Sequence, residues 1–154
     1  MRLGIISDTH GFLPDRVLDT FHSEGVDQIL HAGDIGPLSI LARLEACAPV
    51  TAVQGNCDFP SHLNLTERLK LEGVVIHLAH RPQVLERAMR SDQTPDTMLG
   101  IHGHLHIPSY TTQSKNRFIL CPGSPTEPRN SSKPSIALVE LQQGTIPSHE
   151  FITV

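Results

Sequence analysis

Five short polar clusters hold most of the side chains in this sequence that can do chemistry: Asp8-Thr9-His10, Gly33-Asp34, Gly55-Asn56-Cys57-Asp58, His80, and His102-Gly103-His104-Leu105-His106. Carboxylates, an amide oxygen and imidazoles are hard-to-borderline donors. They suit Mn, Fe, Zn or Ni better than an all-oxygen Mg or Ca cage. One ion takes about four to six donors, and the clusters offer at least seven. The set is therefore sized for two ions, with an aspartate able to bridge them at roughly 3.5–4 Å, as two-metal hydrolytic sites require. Histidine usage agrees, at 10 in 154 residues against 1 Tyr and no Trp. Cys47, Cys57 and Cys121 form no C-x-x-C pair, which argues against a thiolate zinc site and a disulfide framework.

Each cluster sits just past the C-terminal end of an apolar run, the rim where ligands bind in open α/β sheets. Leu3 to Ile6, Gln28 to His31 and Val50 to Val53 read as buried strands. Between them lie a helix opened by Pro14, with Val17, Leu18 and Phe21 on one face and an exit at Gly25, and a helix from about Pro37 to Ala46 with Leu38, Leu41 and Leu44 at helical spacing. That alternation predicts a parallel sheet with right-handed crossovers. Further on, Glu72-Gly73 predicts a hairpin between Arg68–Leu71 and Val74–Ala79. A helix from Pro82 to about Arg90 then leads to a strand at Thr97–Ile101. The strands at Ser109–Thr112, Arg117–Leu120, Ile136–Leu141 and Thr145–Ile152 read as antiparallel, with Pro122 to Pro134 as a long loop.

At this length the chain reads as one domain over residues 1–154. Net charge is −4 and no basic block occurs, so no dedicated nucleic-acid surface is expected. No run of 18 apolar residues is present and the opening apolar stretch is too short for a signal sequence, which predicts a cytoplasmic protein that does not enter membranes.

In this order, D-T-H, G-D, G-N-C-D, the lone His80 and G-H-L-H, followed by Pro122-Gly123-Ser124 and Pro128-Arg129, resemble the calcineurin-like metallophosphoesterase superfamily. Within it the chain looks most like the small bacterial and archaeal phosphodiesterase branch, which lacks inserted caps. The resemblance implies an α/β fold, a four-layer αββα sandwich of two mixed sheets flanked by helices. It implies two divalent transition-metal ions, Mn first, with Fe, Zn or Ni as alternatives. Asp8, His10 and His106 would hold one ion, Asn56, His80 and His104 the other, and Asp34 would bridge them. A metal-bridging hydroxide would then hydrolyse small phosphate diesters. Asn56 would also direct its NH₂ to a phosphate oxygen. The same superfamily supplies alternatives: a protein-interaction scaffold of the retromer-subunit type, a phosphomonoesterase or a nuclease. Small members often associate, so the resemblance leaves both a monomer and a homo-oligomer open.

Two residues depart from the wider superfamily. Cys57 stands where a histidine is usual, and Arg81 where a glycine is usual; the guanidinium either meets substrate phosphate or points into water. Asp58 either orients Cys57 or a metal-bound water, or is a turn residue. His31 and His102 are read as supports behind the ligands. Cys47 reads as a small core residue, and the sequence offers no role for Cys121. A thiol is a poor proton shuttle to a leaving alkoxide. Esters with good leaving groups are therefore expected to turn over faster than alkyl esters in a steady-state comparison, and equal rates would refute this.

Overall fold

The structure, a computed structural model, describes residues 1–59 and 62–154. β1 (Arg2–Ile6), β2 (Gln28–His31) and β3 (Val50–Ala52) alternate with α1 (Asp15–Ser23) and α2 (Ser39–Glu45). The three strands are parallel, Leu3 opposite Gln28 and Ile29 opposite Val50, as the alternation predicts. β9 (Ser135–Gln142) then returns antiparallel beside β1 and carries β10 (Thr145–Thr153) outside it, completing the order β10-β9-β1-β2-β3.

The second sheet is built from β4 (Thr66–Leu71), β5 (Val74–Ala79), β6 (Met98–Ile101), β7 (Ser109–Ser114) and β8 (Arg117–Cys121), in the order β4-β5-β6-β8-β7. α3 (Pro82–Ser91) crosses from β5 to its parallel neighbour β6. The antiparallel reading of the last third holds for β7 with β8 and for β9 with β10, and β9 is antiparallel to β1 as well. β8 in addition runs parallel to β6, with Met98 opposite Arg117.

Leu3, Ile5 and Leu30 of the first sheet meet Ile76, Leu78, Leu99 and Leu120 of the second, all fully buried. At about 1.5–3 kcal/mol per buried side chain, this seam is the main source of stability. α1 and α2 bury Val17, Phe21, Ile40 and Leu44 on the outer face of the first sheet, against Ile6 and Ile29. α3 buries Leu85 and Met89 against Ala79 and Met98 on the second. The layers are thus helix, sheet, sheet, helix. α2 is shorter than expected and rotated, since Ile40 and Leu44 face the sheet while Leu38 is 48% exposed. Glu72-Gly73 and Gln143-Gly144 both take positive φ at the two central hairpin positions, as a type I′ turn requires. Where the sheets meet at one side, Tyr110 of β7 stacks on His149 of β10 with ring centroids 3.7 Å apart.

Beyond α3, Asp92 ties three elements. Its Oδ2 accepts from Arg68 Nε on β4 at 2.7 Å and from His77 Nε2 on β5 at 2.8 Å. Arg68 foremost, with His77 and the Thr94 N–H, holds the Asp92 carboxyl well below the usual carboxylate range despite the opposing cost of burial. A depressed folded pKa adds stability that is present above the unfolded value near 4 and lost as pH falls through the folded one. Asp92→Asn is expected to lower Tm at pH 7, by a difference that shrinks as pH falls from about 4 toward 2, as measured by thermal unfolding of both proteins across pH.

Candidate metal centre

Parallel strands present their C-terminal ends to one rim, so β1, β2, β3, β5 and β6 deliver their following residues to a single face. There the loops hold one another through backbone hydrogen bonds: Asp8 N donates to Gly33 O at 3.0 Å, His10 N to Asp34 O at 3.0 Å, and Gly103 N to His80 O at 3.1 Å. Asp8, His10, Asp34, His104 and His106 all sit in the left-handed region, with φ of 56°, 46°, 52°, 69° and 60°. Non-glycine residues rarely adopt this conformation, and it concentrates where side chains must be turned sharply onto a common point.

That point is crowded with lone pairs. His80 Nδ1 donates to Ala32 O at 2.9 Å and His106 Nδ1 donates to Glu127 O at 2.6 Å, which leaves both Nε2 atoms as acceptors when the rings are neutral. His80 Nε2 is 3.1 Å from Asn56 Oδ1 and 3.3 Å from Asp34 Oδ2. His106 Nε2 is 3.1 Å from Asp8 Oδ1 and 3.3 Å from His10 Nε2. Two donors each about 2.1 Å from one cation stand roughly 3.0–3.4 Å apart, so these separations fit metal coordination. Among the described residues, three groups bring their donor atoms within 4.8 Å of one another: Asp8, His10 and His106; Asp8, Asp34 and His80; and His10, Asp34 and Cys57. Asp8, His10 and Asp34 thus each join two groups. The ring nitrogens of His104 join none, although its ring packs edge-on against His80 with centroids 5.2 Å apart.

The electrostatics point the same way. Burial pushes the Asp8 carboxyl up, against the Ser7 hydrogen bond and the charges of His80 and His106. For Asp34 the same burial cost is outweighed by hydrogen bonds from His80 and the Cys57 N–H, and its carboxyl lies well below the usual range. His80 is raised because Asp34 and Asp8 outweigh its own burial. His104 is lowered, first by burial and then by His80 and Arg81. The Cys57 thiol donates toward Asp34 and is raised by it, which keeps it protonated.

Other expected residues act on the loops. His31 touches none of the presumed ligands. Its Nε2 donates to Thr9 Oγ1 at 3.1 Å, because that hydroxyl already donates to Ile35 O at 2.9 Å, and its Nδ1 accepts from Gly33 N at 3.2 Å. Burial holds this ring neutral, its pKa lowered to about 3. The Asp58 carboxylate accepts from Ile35 N at 2.7 Å, Gly36 N at 3.0 Å and Gly55 N at 2.8 Å, locking the Asp34 loop to the Asn56 loop. His102 Nδ1 donates to Gly103 O at 2.8 Å and the ring is buried. Arg81 Nε lies 3.4 Å from Asn56 Oδ1, which turns it toward the site. Cys121 is buried beneath Gly103 and, by burial, its thiol is pushed up to about 11.

Sequence reasoning missed the contribution of the long loop. Ser124 Oγ and Thr126 Oγ1 donate to Asp8 O at 2.8 and 3.1 Å, and Arg129 Nη1 donates to His104 O at 3.3 Å. Glu127 supplies the carbonyl for His106 and a carboxylate oxygen 3.8 Å from His10 Nε2. The P-G-S motif alone signalled this. Two glycines are required by proximity. A Cβ on Gly103 would lie 1.9 Å from Ser7 Oγ and 2.6 Å from Asp8 Oδ2, and one on Gly55 would lie 2.1 Å from Asp34 Oδ1.

A histidine and carboxylate cluster at the strand-end rim of a two-sheet α/β sandwich is the arrangement of a metal-dependent phosphoesterase. Residues 1–144 match the family model of the calcineurin-like phosphoesterase superfamily domain, and the chain belongs to that superfamily. It is 36% identical over 144 residues to a probable metallophosphoesterase of Methanocaldococcus jannaschii, covering 84% of this chain and 70% of that one. It is 30% identical over 127 residues to a protein named phosphodiesterase from the same organism, covering 69% and 74%. In fold it is similar to an archaeal phosphodiesterase (TM-score 0.81, 21% identity, 100% of both chains). A zinc complex of Vps29 from Entamoeba histolytica is also similar in fold (TM-score 0.79, 22% identity, 100% and 98%).

Asp58→Ala removes three charge-assisted hydrogen bonds and is expected to cost about 2–4 kcal/mol. Thermal unfolding measures that loss, and titration calorimetry with Mn²⁺ should show weaker binding, because the Asp34 and Asn56 loops lose their clamp.

Proposed function

We propose that this protein is a phosphodiesterase that hydrolyses small phosphate diesters with two divalent transition-metal ions, Mn²⁺ first among them. The observation that carries this reading is the convergence of Asp8 with His10 and His106, and of Asp8 with Asp34 and His80, each group with its donor atoms within 4.8 Å of one another and with the His80 and His106 rings held by backbone carbonyls. A divalent cation among these carboxylate, amide and ring-nitrogen atoms would be shared by several of them at once. Asp8, His10 and His106 would hold one ion, Asn56, His80 and His104 the other, and Asp34 would serve both. When bound, the ions supply a water acidic enough to attack phosphorus near neutral pH and offset the charge on the phosphoryl oxygens.

The chain's own groups do the rest. Asn56 offers Oδ1 to the centre while its Nδ2 donates to Cys57 Sγ at 3.3 Å and has a second hydrogen that can reach a phosphate oxygen. Arg81, exposed beside Asn56, supplies a fixed positive charge for a second oxygen. Cys57, held protonated, leaves the departing alkoxide with little proton help. A diester with a good leaving group is served by such a site better than a monoester.

A retromer-type scaffold shares the fold, but a scaffold is free to lose donors, and here every expected position carries a competent side chain. A nuclease would need clustered cations, whereas the net charge is −4. No helix is long and apolar enough to cross a membrane. A cytoplasmic location and self-association complete the proposal, the latter read by light scattering.

In a panel of bis(p-nitrophenyl) phosphate against p-nitrophenyl phosphate with Mn²⁺, the diester is expected to be hydrolysed faster. Asp34→Asn is expected to lower kcat by at least about 100-fold. Absence of metal-dependent turnover of both would overturn the enzyme reading, and monoester preference would overturn its diester part.

A further inference from the structure

Among the described residues the exposed large apolar side chains are Phe12, Leu38, Phe59, Leu65, Val84 and Leu105. Single exposed apolar residues are ordinary, but these are not scattered over the surface. Phe12 follows His10 by two residues, Leu38 follows Asp34 by four, Phe59 follows Asn56 by three, Val84 follows His80 by four, and Leu105 lies between His104 and His106. Much of this apolar surface lies beside the metal centre, Leu38 and Phe59 with Cys57, and Leu65 and Val84 with Asn56 and His80.

On one flank it forms a groove of about 470 Å³ lined by Ile35, Pro37, Leu38, Cys57, Phe59 and Leu63. Its inner end is Cys57, whose Sγ lies within 4.8 Å of the donor atoms of His10 and Asp34. Phe59 at the outer end is 90% exposed. The carboxylate of Asp58, which also lines the groove, is turned to the backbone N–H groups of Ile35, Gly36 and Gly55. Of the described lining residues His62 and Cys57 are then the polar ones left, and recognition there is mainly by apolar contact and stacking. The opposite flank, beyond Asn56, is a separate depression of about 330 Å³ that contains His80 and Arg81 and so carries the positive charge.

A symmetric pair of charged arms would not suit these two flanks. We propose that the groove is a substrate subsite for a flat aromatic ester arm, packed between Leu38 and Phe59, so that the substrates are diesters carrying an aryl group or a nucleobase on one side. The volume falls within the range that encloses small ligands, and a mostly apolar wall with few polar groups is their usual surrounding. Stacking on Phe59 tolerates any flat π-face, which sets a class of arm and not one compound.

The inference rests on the diesterase reading for the word substrate but is tested by binding. Titration calorimetry of the Mn²⁺-loaded protein compares phenylphosphonate with methylphosphonate, which share a headgroup and differ in the arm. Phenylphosphonate is expected to bind at least about tenfold more tightly. That ratio is expected to fall toward one in Phe59→Ala and in Leu38→Ser, both surface positions whose Tm should stay within a few degrees of the parent. Equal dissociation constants for the two phosphonates would overturn the proposal, as would a ratio unchanged in both variants. A dimer that disappears in Phe59→Ala would also overturn it, assigning the groove to a second copy of the chain. A phenyl preference without hydrolysis in the diester panel would sustain the subsite and refute the enzyme reading. Hydrolysis without the preference would do the reverse.

Discussion

The molecule is organised around a repulsion. Asp8, Asp34, Asn56, His80 and His106 bring two carboxylates, an amide oxygen and two ring nitrogens to separations near 3 Å, and the two carboxylates oppose each other. Side chains left to themselves would swing apart. Here the backbone prevents it: Asp8, His10, Asp34, His104 and His106 are held in left-handed conformations by loops that hydrogen-bond to neighbouring loops. Strain in these residues is spread over cross-loop bonds such as Asp8 N to Gly33 O, and over side chains such as Asp58 and Thr9 that grip two loops at once.

The two sheets make that possible by supplying a stiff base. β1, β2 and β3 bring three loops to one side of the rim, and β5 and β6 bring two from the other sheet. Because the sheets share a fully buried seam, the two sets cannot slide relative to one another without opening it. Gly103 shows how close the approach is, since its Cα–H sits directly against Ser7 and Asp8 from the opposite sheet. The charged centre and the apolar groove then share the Asn56–Asp58 segment, so one loop sets both the donor geometry and the shape of the groove.

Much of this was legible in the sequence where the signal is local. The alternating strands and helices of the first half, the Glu72-Gly73 and Gln143-Gly144 hairpins, and the polar clusters after each apolar run all follow from period, turn chemistry and position. What was not legible depends on partners far along the chain. The parallel pairing of β6 with β8 could not be told from an antiparallel one, because period 2 is the same in both. The inward face of α2 was misjudged, as Leu38 has the right spacing but belongs to the loop before the helix. Asp58 as a clamp, His31 as a brace for Thr9, and Glu127 as the partner of His106 join residues 23, 22 and 21 positions apart.

The placement of β1 has a consequence for how the protein comes into being. It lies between β2 and β9, with Ile5 opposite Ala137 and Arg2 opposite Glu140. The carbonyl of Asp8 is held by Ser124 and Thr126, and the tautomer of His106 by Glu127. On a ribosome the earliest donors, Asp8 and His10, emerge long before the strand and loop that hold them. The first sheet stays open on one side until most of the chain has been made. Such distant pairings are slow to form, and the donor cage closes only with them. In small zinc domains the cation is needed to start folding. Here the donors are gathered by strands and loops that the chain supplies last, so the cage takes shape only with the whole fold.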